Sequence, residues 1–179
     1  KIKEIFLNDY IPKNRGEQDE FSKQILEFKD GNENSIKYFE DQIFKRWKHI
    51  NENKFSLCKV PSSDKNKINN TISELIKRII ARSSEKHRDA SDFIIRKYSI
   101  KPQHKSYGNE RLSIESHLDS LDICKSKIDL IEGKNIILFD DVLTTGNSMK
   151  SSSHLLFKHK AQNVIQFALS KTKQRTDIL

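Results

Sequence analysis

Cysteine is scarce: Cys58 and Cys124 are the two in 179 residues. They are far apart and each lies in an apolar stretch, which excludes a disulfide framework and predicts two buried thiols. No C-x-x-C pair occurs, which argues against the common structural zinc sites. The histidines, His49, His87, His104, His117, His154 and His159, form no cluster of familiar ligand spacing. No apolar run approaches membrane-spanning length and no signal peptide is recognisable, so the expected compartment is the cytoplasm, with no membrane partner. There is no internal repeat. There is also no Arg-rich tract and no interleaved aromatic platform, which argues against sequence-specific nucleic-acid reading.

What is present is charge. Charged residues make up 32% of the chain and hydrophobic residues 35%, with a formal net charge of +8. That balance excludes a disordered chain and leaves enough apolar surface for one domain with a core. The basic surplus attracts polyanions or an anionic small substrate.

Apolar spacing sets out the elements. Residues 1–16 read as an edge strand or an ordered arm, broken by Pro12 and Gly16. Phe21, Ile25 and Phe28 predict a helix over 18–29, stopped by Gly31. Ile36, Phe39, Ile43, Trp47 and Ile50 predict a second helix over 35–50, with Asn34 as N-cap and the aromatics in the core. Residues 55–60 read as the first core strand. Ile68, Ile72, Leu75, Ile76 and Ile79 predict a helix over 66–82, with Lys67, Lys77, Arg78 and Arg82 on a solvated face. Phe93 to Ile95 reads as the second core strand. Residues 113–127 read as a short helix running into a strand. Further strands are expected at 135–139 and 164–169, with a short helix between them. Strands alternating with helices predict an α/β fold with a mostly parallel sheet and right-handed crossovers.

The most informative stretch is 135–149, NIILFDDVLTTGNSM. A buried strand hands over to a helix through Asp140, Asp141 and the turn Thr144-Thr145-Gly146-Asn147-Ser148. A helix N-terminus presents unpaired N–H groups and a favourable dipole to a phosphate. Gly146 permits close approach or positive φ. The hydroxyls of Thr144, Thr145 and Ser148 can donate to phosphate oxygens, and two carboxylates can accept from a ribose 2′- and 3′-OH. The arrangement is that of a site for a phosphorylated sugar.

ILFDDVLTTGNS resembles the phosphoribosyl-pyrophosphate (PRPP) motif of type I phosphoribosyltransferases, with orotate-type or competence-protein-like members fitting best. The resemblance implies a Rossmann-like core over 55–179, with residues 1–54 as a helical extension or hood above the sugar site. It implies that Asp140 and Asp141 hold the ribose and that Thr144 to Ser148 hold the 5′-phosphate. By position, Ser62, Ser63, Asp64 and Lys65 after the first core strand become the pyrophosphate loop, here without the Gly that many members carry. Arg96 and Lys97, followed by Lys101, His104 and Lys105, are similar to the basic closing loop of orotate-type members, with altered spacing. Such cations suit a leaving pyrophosphate, and closure would exclude water. Mg²⁺ is the implied cofactor, reaching the site through substrate oxygens and the acidic pair rather than through a dedicated cluster. Hypoxanthine/guanine-type members carry an Asp three residues after the acidic pair, where this chain has Thr144, which argues against a 6-oxopurine acceptor. The implied ligand is PRPP or a nucleoside 5′-monophosphate, and the family commonly forms homodimers. A second function stays open: a non-catalytic regulatory, DNA-uptake or antiphage-defence protein of the same fold that senses a nucleotide and contacts protein or nucleic acid.

Overall fold

In the computed structural model, which describes residues 2–67, 70–100 and 113–173, the chain builds a five-stranded sheet with helices on both faces. Its strands are β1 (Ile2–Tyr10), β2 (Ser56–Lys59), β3 (Arg88–Asp89), β6 (Asn135–Leu143) and β7 (Asn163–Thr172), in the order β1-β7-β6-β2-β3. Every pairing in this sheet is parallel. A separate antiparallel pair joins β4 (Ile94–Arg96) to β5 (Leu121–Ile123).

The central strands are apolar on both sides because both faces are covered. Leu57, Ile137, Phe139, Phe167 and Leu169 share one core with α1 (Glu20–Lys29), α2 (Glu33–Arg46) and α3 (Asn70–Arg82). Cys58, Ile136, Leu138, Val164 and Ala168 share the other with α5 (Asn147–Lys158) and the β4–β5 pair. The short helix α4 (Ile114–Asp119) leads into β5. Both cysteines are free, Cys58 buried and Cys124 half-buried. Among the described residues no helix is long and apolar enough to cross a membrane.

Three expectations need correcting. The apolar run at 93–95 does not enter the main sheet; the place beside β2 is taken by Arg88–Asp89. Both residues of β3 are exposed, so this edge carries no apolar signal. The second helix starts earlier and ends earlier than its stripe suggests. Asn32, not Asn34, is its N-cap, accepting from the Ser35 amide at 3.1 Å. The helix stops at Arg46 because Trp47 leaves helical geometry, at φ −120° and ψ 78°, and its ring stacks on Phe167 with centroids 5.2 Å apart. Tertiary packing there overrides a helical spacing that continues to Ile50. The basic face of α3 is not merely solvated, since Arg78 pairs with Glu33 and Glu74, and Arg82 with Glu40 and Asp41. The pairs with Glu33, Glu40 and Asp41 fasten α3 to α2, while Arg78–Glu74 lies within α3; each contributes about 0–1 kcal/mol. Residues 1–54 supply β1 to the sheet, and α1 and α2 pack in one cluster with α3.

Candidate functional site at the C-terminal edge of the sheet

In open parallel sheets ligands collect where the strands end, and β6, which runs on to Leu143, carries the acidic pair just past Phe139, where its pairing with β2 stops. Asp140 and Asp141 are half-buried. The Asp140 carboxylate accepts the Asp141 amide at 2.9 Å, and the Asp141 carboxylate accepts the Val142 amide at 2.6 Å. Lys29, in the last turn of α1, brings its Nζ to 3.7 Å from the Asp141 carboxylate. Asp140 is pushed well above the usual carboxylate range, first by burial and then by the charge of Asp141 beside it; its hydrogen bond from the Asp141 amide and the charge of Lys29 oppose this. Two carboxyl groups held this close form a strong acceptor set that a partner hydroxyl or cation would relieve.

The turn after β6 delivers the chain to α5. Gly146 is the N-cap of α5 at φ +77°, a left-handed geometry that glycine adopts without penalty. The side chains of Asp19, Asn32 and Ser113 cap α1, α2 and α4, whereas α5 has no side-chain cap bond from its N-cap residue. The N-cap position of α5 therefore contributes no side chain to its first turn. The Asn147 amide reaches the Thr145 hydroxyl only at 3.4 Å. Thr144, Thr145, Asn147 and Ser148 are all half-buried around this turn. Behind it, the Ser148 hydroxyl lies 3.4 Å from Nδ1 of His117, which is buried on α4. The His117 imidazole is held below its usual pKa by burial and then by the charge of Arg96.

The 61–65 loop sits at the same end of the sheet. The Val60 amide donates to the Phe139 carbonyl at 2.9 Å, so the loop departs from beside the residue preceding Asp140. Its amides are engaged. The Asp64 amide donates to the Ser62 hydroxyl at 3.2 Å, Lys65 to the Ser99 hydroxyl at 2.9 Å, and Asn66 to the Asp64 carboxylate at 2.9 Å. The Ile100 amide donates to the Ser63 carbonyl at 2.8 Å, which fastens the loop to the segment after β4. Arg96 is buried beneath the loop. Its Nε donates to the Ser62 carbonyl at 3.0 Å, its Nη2 to the Pro61 carbonyl at 3.2 Å and its Nη1 to the Ser120 hydroxyl. Lys97 is exposed. Lys101, His104 and Lys105 lie outside the described residues.

The acidic pair, the 144–148 turn, the 62–65 loop and the Arg96 position thus meet at one end of the sheet. Spacing alone did not reveal Lys29, His117 or Ser120. Lys29 looks like any cation in the last turn of an amphipathic helix. His117 and Ser120 come close to the turn and loop only through the packing of α4 on α5 and the β4–β5 pair. The carboxylate pair offers the hard oxygen donors that Mg²⁺ takes alongside substrate oxygens and water. Among the described residues no group of three or more His, Cys, Asp or Glu is placed to hold an ion by itself.

The family model for the phosphoribosyl transferase domain matches residues 94–177. That segment is just under half of the chain, and it contains the stretch that resembles the PRPP motif. Among solved structures, it is similar to a hypoxanthine phosphoribosyltransferase from Staphylococcus aureus, at 17% identity over 76% of this chain and 73% of that one, with a TM-score of 0.44. It is also similar to a hypoxanthine-guanine phosphoribosyltransferase from Bacillus anthracis, at 20% identity over 86% of this chain and 70% of that one, with a TM-score of 0.42. The substrates named there are those proteins' own. No curated protein matches the chain.

Proposed function

We propose that the protein binds PRPP or a nucleoside 5′-monophosphate at the end of β6 and transfers phosphoribose to or from a nitrogenous base with Mg²⁺ and pyrophosphate. The observation that carries this reading is the acidic pair set beside the glycine-led N-terminus of α5. Asp140 and Asp141 accept the ribose 2′- and 3′-hydroxyls, and the first-turn amides of α5 with Thr144, Thr145 and Ser148 hold the 5′-phosphate. Ser62, Ser63, Asp64 and Lys65, with Lys97 and, by the resemblance, Lys101, His104 and Lys105, are assigned to the pyrophosphate. When bound, Mg²⁺ supplies charge neutralisation for the departing pyrophosphate. The protein's own part is positioning the sugar and keeping water from the reacting carbon. Thr144, three residues after the acidic pair, favours an acceptor other than a 6-oxopurine. A cytoplasmic setting suits these ligands, and the N-terminal helices reach the ribose site as a hood through Lys29.

A second reading, a nucleotide sensor without turnover, is favoured by one observation: the amides of Asp64, Lys65 and Asn66 are already bonded to side chains. A ligand must break those contacts to use them. The two readings separate on incubation with PRPP, Mg²⁺ and a panel of bases, following pyrophosphate release. Base-dependent release supports the transferase; calorimetric PRPP binding without release supports the sensor. In either case Asp140→Asn with Asp141→Asn should abolish PRPP binding while leaving the circular dichroism spectrum unchanged. Unchanged affinity in that double variant removes the ribose assignment.

A further inference from the structure

Arg96 is 8% exposed, and its three contacts among the described residues are two backbone carbonyls and a hydroxyl, none of them a carboxylate. The carbonyls belong to Pro61 and Ser62, the two residues that start the 61–65 loop. The hydroxyl, on Ser120, donates onward to the His117 carbonyl at 2.6 Å. The His117 ring in turn lies 3.4 Å from the Ser148 hydroxyl in the 144–148 turn. The loop on one side of the site and the turn on the other are therefore joined underneath by one chain of buried polar groups. A planar guanidinium suits this place because it meets three acceptors in fixed directions, which an ammonium on a flexible stem does not.

Resting on the function proposed above, we propose that Arg96 is a positioning residue and not a direct pyrophosphate ligand. It sets the backbone of the 61–65 loop, and Ser120 and His117 carry that brace to Ser148. The loop and the turn are then held at one fixed spacing, and the site favours ligands with anionic groups on both sides of the ribose over ligands with one. An error of about an ångström in such spacing can cost on the order of a hundredfold in function, so a brace that touches no ligand still has a measurable effect.

The test compares Arg96→Lys and Ser120→Ala with the unaltered protein, each first checked for an intact thermal transition. Calorimetry with Mg²⁺ reads the affinities for PRPP and for ribose 5-phosphate. The brace predicts that Arg96→Lys weakens PRPP by about tenfold or more although the positive charge is kept, while ribose 5-phosphate changes by less than about threefold. It also predicts that Ser120→Ala, remote from any ligand, weakens PRPP by about threefold. Full recovery of PRPP affinity in Arg96→Lys, or an unaltered Ser120→Ala, overturns the proposal in favour of a plain charge contact. Hydrogen exchange at the Asp64, Lys65 and Asn66 amides, without ligand, tests the brace separately. It should quicken in both variants, and unchanged rates overturn the brace even where PRPP binding falls. If the unaltered protein binds no PRPP but exchange still quickens in the variants, the function above fails, and the ligand selectivity with it, while the brace stands.

Discussion

Replacing Asp140 with Asn should make the ligand-free protein more stable and the site worse. The fold raises the Asp140 carboxyl pKa, chiefly by burial and next by the Asp141 charge. The native state therefore binds that proton more tightly than the unfolded chain does. Its stabilising effect is complete below the unfolded carboxyl range and is lost as pH rises through the raised folded value. At neutral pH the protein carries the cost of a crowded charge that an amide of the same shape does not have. Each pH unit of displacement corresponds to about 1.4 kcal/mol. Asp140 keeps some solvent contact, so the gain is smaller than full burial of the charge would give. For a chain of this length each kcal/mol gained raises Tm by about 2–4 °C. The amide oxygen can still accept from the Asp141 N–H, so the local turn should persist. Loss of charge-assisted bonds to ribose should meanwhile weaken PRPP by about 1.5–3 kcal/mol, roughly 10- to 150-fold. Calorimetric melts of both proteins from mildly acidic to neutral pH check the first part, and the difference in Tm should grow with pH. A variant no more stable than the parent at neutral pH would refute the electrostatic argument, whatever happens to binding.

Two further outcomes follow from the packing. Trp47→Ala should cost about 3–5 kcal/mol in urea denaturation, because the ring is buried against Phe167 and Phe55 and leaves a large cavity. Gly146→Ala should cost about 1–2 kcal/mol and weaken ribose 5-phosphate. The added methyl would meet only Leu143 Cδ1 at 3.5 Å and Lys150 Cε at 3.9 Å, so the penalty comes from the left-handed backbone and is readable by thermal melts and calorimetry.

The site was most legible where local sequence and local structure coincide. The run from Ile136 to Ser148 carries strand, acid pair, glycine and helix start in contiguous order, and the chain folds it that way. The alternating helices and the strands at 56 and 163 were legible for the same reason: each buries an apolar pattern of its own. Arg88–Asp89 was not, because a two-residue exposed edge strand has no pattern to show. The run at 94 was misplaced because three apolar residues suit an antiparallel pair as well as a parallel sheet. Arg96 shows a different limit. Its position next to Lys97 marks a basic segment, but only its partners, Pro61, Ser62 and Ser120, show that it points inward.

The placement of β1 bears on how the chain is made. Ile2 pairs with Val164 and Tyr10 with Thr172, so during synthesis β1 must wait for β7, far along the chain, before its neighbour exists. Until then it is a solitary extended ribbon that also lacks the Arg46 contact later made to the Leu7 carbonyl at 2.8 Å. Contacts so distant along the chain form late. The unpaired β1 is thus a stretch open to chaperone capture or to mispairing between growing chains.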